Sequence, residues 1–235
     1  MSQKERIPRE KRPEVLAKMV NAKACRIASD NDIWHVLCST LSTTTWAGLK
    51  VVKNHFDMRR YFEILRTVRP EVIVETGLQN GGSAAFFMDC CVALGLKNTT
   101  YVGIDISCSG VPQWLLEVDF NAVFIQRDCL AYETVELVKQ YVAGKKSLIV
   151  LDSVHSEEHV TEELRLYAPL CKSGDVLVIE DTDHNGHPVL SDYGPSAWEA
   201  VEKFMKDNTD FRNLYEIEGL YGPFTNSPRG WLEKL

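Results

Sequence analysis

Two short apolar runs in this chain, 148–151 (LIVL) and 176–179 (VLVI), each break off into acid. Asp152 follows the first, and Glu180 and Asp181 follow the second. Carboxylates gathered in one place repel one another and raise their own pKa values unless a cation is bound. All-oxygen donors suit a hard ion. Between the runs, SEEHVTEELRLYAPL opens on Ser156 and two glutamates, then places Val160, Leu164 and Tyr167 at helical spacing, the pattern of a capped helix. Strand, helix and strand in this order form a βαβ unit with two parallel, buried strands. Ligands of open parallel sheets bind beyond the carboxyl ends of the strands. The spacing therefore predicts that the three acids converge where the sheet presents its chemistry.

An earlier run ends in the same way. VIVETGLQNGGSA carries Glu75 and Thr76, then Gly77, Gly81, Gly82 and Ser83. A glycine-rich turn between strand and helix lets backbone approach a ligand closely. No Gly-Lys-Ser/Thr follows, so it is not a phosphate loop, and its glycines do not fall at GxGxxG spacing. Glu75 would repel a pyrophosphate and suits a cationic ligand. S-adenosylmethionine carries a sulfonium, an amino group, a ribose diol and an adenine, and no phosphate. Asp105, after the second strand, is placed for the ribose diol, and Asp128, after the third, for the adenine amino group. The expected cofactor surface is Glu75, Thr76, Gly77, Gly81, Ser83, Asp105, Asp128 and Asp152. Single acids at strand ends often only cap helices; the series across four strands is what points to a ligand.

These residues need an alternating scaffold, and the chain supplies one. Strands are expected at 71–77, 100–107, 121–128, 148–151 and 176–179, with FRNLYEIEG as a sixth and a seventh within 221–235. Helices are expected at 56–67, from Gly82 to before Gly95, at 132–142, after Ser156, and at 195–208 with Pro195 in the first turn. The fold class is α/β, with a doubly wound, mostly parallel sheet. Ahead of it, residues 1–13 read as a mobile arm and 13–27 as a helix. Residues 38–53 read as a loop, either folded over the site or simply connecting and packed by Trp46. The expected division is an N-terminal arm and helical or loop extension at 1–58, with a lid as one role for it, and a catalytic domain at 59–235.

With 235 residues, the chain suits one domain with a modest extension. A formal charge of −7 argues against a general nucleic-acid binder. No apolar run approaches the roughly 20 residues of a membrane span, and MSQKERIPREKRPE lacks the apolar stretch of a signal peptide. The seven cysteines include no CxxC pair and read as reduced thiols of a cytoplasmic protein.

Taken together, VIVETG with GGSA, YVGIDIS, LDSVHSEEHV, YAPL, GDVLVIEDT with NGHP, and GPSAWEAV resemble the cephalosporin hydroxylase family. That family is built on the class I methyltransferase fold and is similar to rhamnosyl and metal-dependent macrolide-sugar O-methyltransferases. The resemblance covers about residues 44–232, and DSxHS and EDTxxNGHP are its specific motifs. It implies a seven-stranded Rossmann-like sheet, S-adenosylmethionine and Mg²⁺ as cofactors, and a homo-oligomer. It also implies a small-molecule acceptor, a sugar or a phenol or diol, with no nucleic-acid or membrane partner. The family's metal triad maps onto Asp152, Glu180 and Asp181, and its general-base histidine onto His155. On that mapping the metal lowers the pKa of the acceptor hydroxyl and His155 takes the proton. For Asp183, His184 and His187, substrate contact and loop structure both stay open. The same holds for Trp46, Trp114, Tyr193 and Tyr221 as an aromatic wall or as packing.

Two other classes of function deserve weight. A non-haem iron oxygenase would combine His155 and Glu157 with His184 or His187. Glu157, however, sits in a first helical turn, where the dipole already favours an acid, and such oxygenases usually use antiparallel barrels. A non-catalytic binding protein of the same fold is the other, and the presence of every motif acid and of His155 speaks against it.

Overall fold

The computed structural model describes residues 44–220 and 224–235. The expected arm, the helix at 13–27, the first part of the 38–53 loop and Tyr221 lie outside the described residues. Among the described residues, the main sheet has seven strands. They are β3 (Val72–Thr76), β4 (Thr100–Asp105), β5 (Ala122–Gln126), β6 (Ser147–Leu151), β7 (Val176–Ile179), β8 (Phe211–Asn213) and β9 (Trp231–Lys234). Their order is β5-β4-β3-β6-β7-β9-β8. The first five are parallel, and β9 runs antiparallel to both β7 and β8. The α/β, mostly parallel seven-stranded fold expected from the sequence is what the chain adopts.

Every residue of β3, β6 and β7 is buried, because helices cover both faces of the sheet. Alternation along the strands sorts the side chains. Ile73, Leu148, Val150, Val176 and Val178 face one core, with Tyr61, Ile64, Phe87 and Trp231. Val74, Ile149, Leu151, Leu177 and Ile179 face the other, with Val138, Val160, Leu164 and Val201. The first core is covered by α1 (His55–Val68) and α2 (Gly82–Ala93), and the second by α4 (Tyr132–Val142), α5 (Glu157–Tyr167) and α6 (Ala197–Asp207); α3 is the short turn Gln113–Leu116. Asn54 and Ser156 cap α1 and α5 through their side chains.

Chain order reverses between β3 and β6, which makes this the switch point of the sheet. Register fixes what emerges there. Thr76 is level with Leu151, and Leu151 with Ile179, so Gly77, Asp152 and Glu180 leave the sheet side by side. Gly77 must be glycine: its φ is +82°, and a Cβ would run into the backbone of Asp152.

Three local expectations change. Residues 45–50 form a small hairpin, β1 (Thr45–Trp46) and β2 (Leu49–Lys50), turning at Ala47 and Gly48 with positive φ. Trp46 packs edge-on against Phe86 of α2 and donates its indole N–H to Asp89 at 2.8 Å. Pro195 does not enter α6: Ser196 is the N-cap, and a capping box with Glu199 starts the helix one residue later. Only Phe211–Asn213 of FRNLYEIEG is strand. The chain then turns into α7 (Tyr215–Glu218), whose Ile217 and Glu218 carbonyls accept from the buried Arg60 guanidinium. Helix α1 begins at His55 and runs through the expected boundary at 58/59. Among the described residues, no helix is long and apolar enough to cross a membrane.

Candidate active site

A cleft of about 260 Å³ opens beyond the carboxyl ends of β3, β4, β5 and β6. Gly77, Ser83, Asp105, Asp128, Asp152, His155 and Asp181 line it. Asp105 is fixed by three backbone amides: Leu78 at 2.8 Å and Gln79 at 3.0 Å on Oδ2, and Ser107 at 2.9 Å on Oδ1. It thereby holds the glycine loop against the end of β4. Asp128 accepts the Leu130 amide at 2.9 Å. Glu75, Thr76 and Gly81 stand behind this wall rather than on it. Glu75 is buried and accepts hydrogen bonds from Ser83 (2.9 Å) and from the Tyr101 hydroxyl. The Thr76 hydroxyl donates to Glu163 at 2.8 Å, and Gly81 is the N-cap of α2 with φ +75°.

The acids do not form one open triad. A single ammonium, Lys53, is 2% exposed and reaches carboxylates beside three different strands. Its Nζ lies 2.6 Å from Asp152 Oδ2, 2.9 Å from Glu180 Oε1 and 3.4 Å from Glu75 Oε1. Glu180 also accepts from the Tyr61 hydroxyl and from Ser227 (3.2 Å). Burial would raise the Glu180 pKa, but Lys53, Tyr61 and Ser227 hold it below the ordinary carboxylate range. Burial would lower the Lys53 pKa, yet Asp152, Glu180 and Glu75 raise it well above the usual lysine value. What faces the cleft is the other side of Asp152, together with Asp181 and His155. His155 Nε2 lies 3.2 Å from Asp181 Oδ2 and 3.8 Å from Asp152 Oδ1. One donor atom from each of the three falls within 4.8 Å of the others. Asp181 reaches this position through a left-handed backbone, φ +53°, an unusual conformation for a non-glycine residue, of the kind that clusters at functional sites.

Residues 38–235 match the family model for rhamnosyl O-methyltransferase/CmcI. The chain belongs to this family. It is 33% identical over 210 residues to the rhamnosyl O-methyltransferase of Mycobacterium leprae (strain TN), covering 88% of this chain and 90% of that protein. It is 32% identical over 211 residues to the rhamnosyl O-methyltransferase of Mycobacterium bovis (strain BCG / Pasteur 1173P2), covering 88% and 84%. Among solved structures, CmcI with magnesium and S-adenosylmethionine superposes with a TM-score of 0.64 at 23% identity, covering 100% of this chain and 88% of that one. CmcI with SAH gives 0.57 at 20% identity, covering 100% and 95%. At these identities the superpositions speak for the fold.

In this member of the rhamnosyl O-methyltransferase/CmcI family, the remaining motif residues divide between site and scaffold. His184 lies edge-on to His155 at 5.8 Å between ring centroids and against Tyr193 at 4.7 Å. His187 stacks on Trp198 at 4.1 Å, and its Nε2 is 3.1 Å from Glu199, so it belongs to the start of α6. Glu157 pairs with Lys203 of α6. Trp114 is exposed. Sequence reasoning did not single out Lys53. The signal that points to it is charge balance: three acids ending buried strands demand a buried cation, but nothing local says which of the chain's lysines supplies it.

Proposed function

We propose that this chain transfers the methyl group of S-adenosylmethionine to a hydroxyl of a small molecule, with a sugar the first acceptor class to test. The observation that carries the reading is the meeting of Asp152, His155 and Asp181 in a cleft walled by Gly77, Asp105 and Asp128. Its setting in a family that includes rhamnosyl O-methyltransferases supports the reading. Gly77, Ser83, Asp105 and Asp128 are the direct cofactor contacts. Glu75, Thr76 and Gly81 shape that surface from behind.

The donor set fits Mg²⁺: carboxylate oxygens at a partly buried site on the cleft leave room for waters and substrate oxygens. When bound, the ion supplies Lewis acidity toward the acceptor hydroxyl. Asp152 Oδ1 and Asp181 Oδ2 would hold it directly. Glu180, the third member of the proposed triad, has Oε1 on Lys53 and Oε2 on Ser227. His155 accepts the acceptor proton on Nε2 as the oxygen attacks the sulfonium methyl. Glu157, the carboxylate of the iron-oxygenase alternative, pairs with Lys203. A homo-oligomer and a cytoplasmic location are part of the same proposal.

The test is incubation with methyl-labelled S-adenosylmethionine, Mg²⁺ and a panel of rhamnosides, other glycosides and catechols. Label is expected on a sugar hydroxyl and none in EDTA. Oxidation that needs Fe²⁺ and an oxoacid, or no calorimetric binding of S-adenosylmethionine or S-adenosylhomocysteine, would overturn the reading. Light scattering on the same sample tests the oligomer.

A further inference from the structure

A second group of donors, different in kind from the carboxylates, lies at one wall of the cleft. Cys129 stands in the loop after β5. His159 and Glu163 are one turn apart on a single face of α5. Cys129 Sγ lies 3.6 Å from His159 Nε2 and 3.6 Å from Glu163 Oε1, and His159 Nε2 lies 3.9 Å from Glu163 Oε2. The Ser153 hydroxyl completes the set, 2.9 Å from His159 Nε2, 2.8 Å from Glu163 Oε1 and 3.7 Å from Cys129 Sγ. One donor atom each from Cys129, His159 and Glu163 lies within 4.8 Å of the others. Zinc takes sulfur at about 2.3 Å and imidazole nitrogen or carboxylate oxygen at about 2.0–2.2 Å, so its tetrahedral corners lie about 3.6 Å apart for sulfur–nitrogen and about 3.4 Å for nitrogen–oxygen.

We propose that Cys129, His159 and Glu163, with Ser153 at the fourth corner, bind a zinc-class divalent ion. Binding transfers the thiol proton of Cys129 to solvent and uses the Nε2 lone pair of a neutral His159. Thiolate and carboxylate then balance the two charges of the ion. Two features set this group apart from the acids at the ends of β6 and β7. It offers sulfur and imidazole, which suit zinc and which Mg²⁺ avoids in favour of oxygen. It is also already assembled: Glu163 is 1% exposed and held by Thr76 and Ser153. An ion reaches it from the cleft, which Cys129, Ser153 and His159 line.

Co²⁺ titration of the full chain in excess Mg²⁺ tests this. Tetrahedral Co²⁺ on a thiolate gives a near-ultraviolet sulfur-to-metal band, which oxygen ligation at Asp152 and Asp181 does not. One equivalent of that band is expected, reversed by Zn²⁺, absent in Cys129→Ser and retained in Asp181→Asn. His159→Gln, at a partly exposed position and so less disturbing to folding, should weaken Co²⁺ by more than the about 10–100-fold typical of an outer-shell loss. No thiolate band, or a band that survives Cys129→Ser, would overturn the proposal. Neither result depends on methyl transfer.

Discussion

Asp183 is fully buried beside the site. Its Oδ2 accepts the Asn226 side-chain amide at 2.7 Å, while among the described residues its Oδ1 meets no hydrogen-bond donor. Burial first, and the nearby Asp181 second, raise its pKa to about 8. A raised acid keeps its proton in the folded state where the unfolded chain, with a value of about 3.9, has lost it. Its contribution to stability is therefore full below about pH 4 and is lost as pH rises through about 8. Asp183→Asn keeps an acceptor for Asn226 and removes the titration. In EDTA it should melt higher than wild type at pH 8 and about equally at pH 4; equal shifts at both pH values would show that the carboxyl does not titrate this way. His155 belongs to the same scale. With its Nε2 in the cleft beside Asp181, His155→Ala should lower kcat by about 10²–10⁴-fold. The affinity for S-adenosylhomocysteine should stay within error, since the proposed cofactor contacts are Gly77, Ser83, Asp105 and Asp128. A mutant with wild-type kcat would move the proton acceptor to His184. Residue types named Asp152 and Asp181, and the family resemblance named His155; the structure gathers all three. They could not reveal that Glu180 turns inward, because that depends on Lys53, Tyr61 and Ser227 from three other parts of the chain.

At the scale of elements, the starts of α5 and α6 act as one unit. Ser156 and Ser196, their N-caps, face each other in an isolated antiparallel bridge, and the Glu157 amide donates to the Pro195 carbonyl at 3.1 Å. Glu199 accepts the Ser196 amide at 2.7 Å and also holds Asn185 (2.8 Å) and His187 (3.1 Å). The loop that follows Asp181 is thereby fastened to the head of α6. Burial opposes ionisation of Glu199, but the Ser196 amide, Asn185 and His187 hold its carboxyl down to about 2. The stability it contributes is present above about pH 4 and lost as pH falls toward 2. Ser196→Ala removes the cap and should cost about 1 kcal/mol, within the usual range for a lost N-cap. A drop in Tm measured at pH 7 checks it, and an unchanged Tm would mean that the bridge to Ser156 carries the junction. Helices α5 and α6 were legible because each combines an apolar period with a recognisable start, and α2, apolar on nearly all sides, because glycines bound it. Helix α7 was not. FRNLYEIEG alternates like a strand, and what bends it after Asn213 is Arg60, more than 150 positions earlier, bonding to Ile217 at 3.3 Å and Glu218 at 3.1 Å.

At the scale of the whole molecule, alternating apolar runs and helices specify a parallel sheet, and strand register then brings Gly77, Asp152 and Glu180 out together. This much follows from local pattern. What local pattern cannot give is how residues 44–54 join the site, where Lys53 is the link to the strand ends. Lys53 enters from outside the alternating core and places its ammonium among Glu75, Asp152 and Glu180, which belong to β3 and to the ends of β6 and β7. The entry segment and the site are thus held by the same contacts. Lys53→Met keeps most of the side-chain volume and leaves three carboxylates without their cation. Breaking a buried ion pair by removing one partner costs about 3–5 kcal/mol, so the variant should melt well below wild type in EDTA. If the site takes Mg²⁺ through Asp152 and Asp181, the ion replaces much of the missing charge. Mg²⁺ should then raise the melting temperature of Lys53→Met by more than it raises that of wild type. Equal increments in the two proteins would separate the lysine from the ion and leave Lys53 as a fastener of the entry segment alone.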